Sequence, residues 1–181
     1  MKKFILFIIT IVIVGSLWLY FNSKHTVPEI NFLPTPMKMT STAFVNNGTI
    51  PIKYTCSGDN INPELKFENV PANAKSLVLI LDDPDAPGGT FTHWVVYNIT
   101  PDIIEIPEAA TTIPGVQAKN SAGQNGYMGP CPPSGSHRYF FKLYALDLIF
   151  GSDQIQDEND VLASMQGHVL GEAELMGTFS K

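Results

Sequence analysis

Residues 77–99 read L-V-L-I-L-D-D-P-D-A-P-G-G-T-F-T-H-W-V-V-Y-N-I. Leu77 to Leu81 is a short apolar run with no polar break, the pattern of a strand buried on both faces. It ends abruptly at Asp82-Asp83-Pro84-Asp85, so carboxylates stand where a core strand stops. Asp-Pro-Asp is also an ordinary turn composition, because aspartate side chains bond nearby backbone and proline suits the second turn position. Past the turn, Thr92 to Ile99 resumes as a second strand with His93 at its start. If the two strands are antiparallel neighbours, Asp83, Asp85 and His93 meet at one mouth of a sheet.

The rest of the chain repeats this rhythm. Strands are expected over 38–45, 50–55, 64–67, 76–82, 92–99, 138–147 and 172–179, with turns between them, which is a mostly β pattern. One helix is expected at about 157–166. Asp157, Glu158 and Asp160 sit in its first turn, where the helix dipole favours negative charge, Val161, Leu162 and Met165 form its apolar stripe, and Gly167 stops it. Residues 100–125 show little periodicity and read as a long crossover.

Gly126 to Tyr139, G-Y-M-G-P-C-P-P-S-G-S-H-R-Y, is a loop that ends in a strand. Its prolines fix φ and its glycines leave backbone N–H groups uncovered, so the loop is stiff and able to face an anion or oxygen ligand. It delivers His137 to a strand mouth, as the earlier turn delivers His93.

The N-terminus has a different character. Lys2 and Lys3 precede Phe4 to Phe21, an uncharged run of roughly 18 residues, just long enough to cross a bilayer as a helix. Residues 1–23 are therefore read as a membrane anchor or a signal segment, 24–36 as a proline-containing tether, and 37–181 as one β domain. Leu17 to Phe21 continue the apolar run past Val14-Gly15-Ser16 without an A-x-A site, which argues for an uncleaved anchor with the domain on the extracytoplasmic side. Cleavage would instead give a secreted or periplasmic domain. The net charge of −6 argues against nucleic acid as a partner, since phosphate backbones need a basic stripe.

L-D-D-P-D-A-P followed by H-W-V-V-Y-N, and then G-P-C-P-P-S-G-S-H-R-Y, resemble the two signature segments of the phosphatidylethanolamine-binding protein family, also called the Raf kinase inhibitor-like family, in its bacterial branch. Residues 54–65 and 165–177 are similar to flanking segments of that branch, so the resemblance spans nearly all of 36–181. It implies a large antiparallel sheet packed on a smaller one, with one or two peripheral helices. It also implies ligand-pocket roles for Asp83, Asp85, His93, Cys131, Pro132, His137 and Tyr139, with Arg138 structural. Cys56 and Cys131 are the two cysteines of the chain. The resemblance places both loops beside the pocket, and export favours pairing, so a disulfide with Cα atoms roughly 4.4–6.8 Å apart is expected. The spacers 88–92 and 134–136 are shorter than in eukaryotic members, so the pocket chemistry is what transfers.

Histidine donors beside carboxylates suit a small anionic or zwitterionic ligand such as phosphate or phosphoethanolamine. The expected function is thus a non-enzymatic binding module; the alternative is an inhibitor or regulator of a kinase or protease acting through the pocket loops. A His/Asp hydrolase ranks below both, because no G-x-S-x-G, H-E-x-x-H or phosphate-cradling motif occurs. No catalytic residue, metal or cofactor is assigned.

Overall fold

The computed structural model describes residues 36–151 and 155–181. The segments expected to form an anchor and most of the expected tether, residues 1–35, lie outside the described residues, and among those described no helix is long and apolar enough to cross a membrane.

Among the described residues nine strands form two sheets. The larger has the order β2(Gly48–Thr49), β9(Val169–Ser180), β8(Ser136–Leu146), β4(Ser76–Asp83), β5(Phe91–Ile99), β7(Val116–Gln117). The smaller has the order β1(Lys38–Thr40), β3(Leu65–Glu68), β6(Glu105–Ile106). All pairings are antiparallel except β2 with β9, a parallel contact at the sheet edge. The one α-helix among the described residues, α1(Glu158–Ser164), starts at Asp157, whose side chain accepts from the amides of Asn159 and Asp160 and so caps donors the helix cannot satisfy itself.

β4 occupies the middle, and every one of its residues is buried. Leu77, Leu79 and Leu81 face the smaller sheet and pack with Met39, Leu65, Phe67, Phe141 and Leu143. Val78 and Ile80 face the other way and pack with Val95, Tyr97, Phe150, Val161 and Met165. The unbroken apolar run is therefore explained by two cores, one between the sheets and one under α1, each buried aliphatic side chain contributing roughly 1.5–3 kcal/mol.

Three local expectations are corrected. The strand expected over 38–45 ends at Thr40, because Ser41 Oγ bonds the amide of Ala43 and the carbonyl of Glu64 and turns the chain. Residues 50–55 hold a single 3-10 turn, Ile52–Tyr54, entered at Pro51 and closed by Thr55 bonding back to Ile52 through both amide and hydroxyl. The 100–125 crossover contains β6 and β7, two residues each.

Candidate functional site

The site grows from the ends of β4, β5 and β8. Side chains alternate along β4, so Asp83 shares the inter-sheet face with Leu81 while Asp82 points to the other face. In β8 the same face carries Tyr139 and His137, in line with Phe141 and Leu143. β5 reaches that face through an irregularity: Leu81 pairs with Trp94 but Asp82 pairs with Thr92, which leaves His93 as an extra residue. A bulge re-aims a side chain where a strict pleat would not. His93 accordingly packs edge-on to Tyr139, with ring centroids 5.4 Å apart, while His137 lies stacked on Tyr139 at 6.5 Å. Phe91, which the sequence had not marked, closes on His93 at 4.8 Å.

Polar partners fix each ring. The buried Asp83 carboxylate accepts from His137 Nδ1 at 2.7 Å through Oδ2, and from the Asp85 amide at 2.8 Å through Oδ1, forming a turn over Pro84. His93 Nδ1 lies 2.9 Å from the Met128 carbonyl. A carbonyl only accepts, so Nδ1 carries the proton, and burial holds the ring below its ordinary pKa against the pull of that carbonyl and of Asp83. Neutral His93 therefore offers Nε2 as an acceptor. This amends the expectation that both histidines act as donors to an oxyanion. His137, with Nδ1 bonded to Asp83, likewise has Nε2 left for a ligand.

Tyr139 is fully buried, and its hydroxyl has no partner at hydrogen-bonding geometry. Burial and then the Asp83 charge raise its pKa well above the ordinary value, so it stays an O–H donor, and the Cys131 backbone lies beside it. Asp85 behaves differently from Asp83. Both its oxygens are taken by Arg138, from Nη2 at 2.7 Å and from Nε and the backbone amide at 2.9 Å. Those bonds lower the Asp85 carboxyl to about 2. Asp85 and Arg138 thus form a clamp that ties the first turn to the start of β8, and Asp83 is the carboxylate facing the rings.

The loop carrying Cys131 and Pro132 is stitched to residues 54–60. Cys56 and Cys131 are joined by a disulfide with Cα atoms 5.4 Å apart. The Cys56 amide donates to the Pro130 carbonyl at 3.1 Å, the Gly129 amide to Asn60 Oδ1 at 2.7 Å, and the Tyr127 hydroxyl to the Tyr54 carbonyl at 2.7 Å. Gly129 is required by close approach, since a Cβ there would lie 2.4 Å from the Tyr54 carbonyl oxygen. Tyr127 also packs edge-on to Trp94 at 5.4 Å, pinning the loop over β5. His168, outside the site, bonds Asp147 at 2.7 Å, the structural role its position suggests.

The comparisons with known proteins agree with this architecture. Residues 40–180 match the model of the phosphatidylethanolamine-binding protein family. The chain belongs to this family. A UPF0098 protein of Methanothermobacter thermautotrophicus is 50% identical over 80% of this chain and 99% of its own length, and one of Chlamydia trachomatis is 45% identical over the same shares. Among solved structures, the phosphatidylethanolamine-binding protein homolog CT736 of Chlamydia trachomatis superimposes with a TM-score of 0.77 at 45% identity, covering 81% of this chain and 98% of that one. Escherichia coli YbcL, described as a member of the mammalian family, gives 0.74 at 26% identity, covering 81% and 99%. The mostly β fold with two packed sheets is the fold of these family members.

Proposed function

We propose that this protein is a non-enzymatic binding module for a phosphorylated, head-group-like small ligand, held at the mouth formed by β4, β5 and β8. Family membership supports a ligand-binding or regulatory role. The observation that carries the finer reading is the buried His137–Asp83 pair beside a Tyr139 hydroxyl that no protein group satisfies. A buried hydroxyl without a partner costs roughly 1–3 kcal/mol, which a ligand oxygen accepting from it would restore.

The donor and acceptor inventory narrows the ligand. Tyr139 O–H donates, whereas neutral His93 Nε2 and the remaining lone pairs of Asp83 accept. A monoprotonated phosphate or a zwitterion such as phosphoethanolamine meets both kinds of group, while a bare dianion would face the Asp83 charge. Residues 4–21 would hold the domain at the outer face of a membrane, where such head groups are abundant.

Calorimetric titration of phosphoethanolamine into the full-length chain tests the reading. Each charge-assisted bond removed costs about 1.5–3 kcal/mol, so His137→Ala and His93→Ala should each weaken binding tenfold or more. Equal affinities in all three proteins, or hydrolysis of the ligand, would overturn it.

A further inference from the structure

The long strand β9 is covered unevenly along its outer edge. β2 pairs only with Gly177 and Thr178. The turn before β2 reaches Met176, whose carbonyl accepts from the Asn47 amide at 2.8 Å and whose amide donates to Asn46 Oδ1 at 2.9 Å. Backbone groups repeat their direction every second residue along a strand, so Glu174 and Glu172 aim their N–H and C=O the same way as Met176. No described residue bonds those groups. Residues 172–175 are therefore a sheet edge of roughly 13 Å whose ladder is unmade.

The two faces beside this edge differ in chemistry. On the inter-sheet side a groove of about 370 Å³ opens between β9 and β1, with Met39, Phe44, Val45 and Leu175 in its lining. Met39, Phe44 and Leu175 belong to the buried core while Val45 is 76% exposed, so the groove runs from the core surface to solvent. The opposite face carries Glu172 and Glu174, both exposed and in register with Tyr144 and Lys142. Lys142 gives its ammonium to Asp82 at 2.8 Å, and neither glutamate is in an ion pair among the described residues.

A strand laid on this edge would alternate its side chains between the two faces. Apolar residues would enter the groove and basic residues would lie over the glutamates. Main-chain bonds supply affinity in such strand addition, and pockets for alternate side chains supply selectivity. A second copy of the chain fits poorly. Antiparallel pairing of this edge with itself sets glutamate against glutamate, and like charges directly opposite one another are destabilising.

We propose that residues 172–175 of β9 are a docking edge for an extended protein segment that alternates basic and apolar residues. The inference is independent of the phosphate reading of the histidine site.

The probe is a blocked pentapeptide alternating lysine and valine, titrated calorimetrically into the full-length chain. One control is the same peptide with its amides N-methylated, which keeps charge and apolar groups but cannot build the ladder; the other alternates glutamate and valine. Saturable binding at one site per chain is expected for the probe, with both controls at least tenfold weaker. Amide hydrogen exchange should slow at Glu172 and Glu174 when the probe is bound. Glu172→Gln/Glu174→Gln should weaken the probe at least tenfold and Val45→Ser at least threefold; all three side chains are exposed, and thermal melts confirm that the variants fold. Absence of saturable binding, equal affinity for the N-methylated peptide, or wild-type affinity in either variant would overturn the proposal. So would protection confined to amides of another edge, or binding lost with His137→Ala, which would put the peptide at the histidine mouth. Self-association of the chain that protects the same two amides without peptide would assign the edge to a second copy and overturn it as well.

Discussion

Removing the Cys56–Cys131 bridge in a Cys56→Ala/Cys131→Ala variant should lower stability chiefly through the unfolded chain. The bridge closes a loop with a sequence separation of 75. The chain-entropy relation for a loop of that size gives about 4–5 kcal/mol at 25 °C, with measured losses for native bridges of about 2–5 kcal/mol. Against a total stability of roughly 5–15 kcal/mol this is a large share. Urea unfolding followed by fluorescence reads it well, because Trp94 is fully buried and becomes exposed on unfolding. The folded pocket loop should nevertheless hold its place. Bonds from the amides of Gly129 and Cys56 and from the Tyr127 hydroxyl tie it to residues 54–60 without the sulfurs. Phosphoethanolamine affinity is therefore expected to change less than tenfold. A stability loss under about 1 kcal/mol would refute the loop-closure argument, and an affinity loss beyond tenfold would show that the bridge itself positions Cys131 and Pro132.

Gly129→Ala should cost about 1–3 kcal/mol and weaken the ligand as well, since the new methyl meets the backbone of Tyr54 and Thr55 and neither can step aside; urea midpoints and calorimetry check both. The Asp85–Arg138 clamp predicts an acid limb. The folded carboxyl, near 2, lies below its ordinary 3.8, so the clamp's stabilisation is complete above about pH 4 and is lost as pH falls toward 2; the stability difference between wild type and Arg138→Met should shrink over that interval. His93 gives a second pH effect. Its folded pKa lies below 6.5, so the unfolded state binds the proton more readily and stability falls as pH drops below 6.5; a His93→Gln variant should show a shallower slope between pH 6.5 and 5, and equal slopes would contradict the assignment. Removing residues 1–35 should leave a cooperatively unfolding domain that no longer binds vesicles, with denaturant titration and flotation as the assays.

What could be read from the sequence was whatever local pattern controls. Leu77–Leu81 announced a strand buried on both faces, and Asp157 and its acidic neighbours announced a helix start; both are visible within a few residues. β6 and β7 were hidden because two-residue strands have no period. They exist through pairing with Leu65–Lys66 and Val96–Tyr97, contacts set by the fold as a whole. The same distinction runs through the site. Asp83, His93 and His137 stood out by type and position, but the bulge at His93 and the Met128 carbonyl that fixes its tautomer lie in the pairing of distant segments. Asp85 looked equivalent to Asp83 in the D-D-P-D run, and only the reach of Arg138 tells them apart.

The two sheets end, among the described residues, in β2 and β7 on one and β1 and β6 on the other, each two or three residues long. Exposed sheet edges are templates on which other chains can add strands, and β1, β6 and β7 provide almost no backbone ladder to extend, whereas β2 covers only Gly177 and Thr178 of the twelve-residue β9. Edge-to-edge polymerisation is consequently resisted by the smaller sheet and by the β7 side of the larger one. For the same reason a protein partner could not add itself as an extra strand at those edges, and recognition there must be carried by loops and side chains.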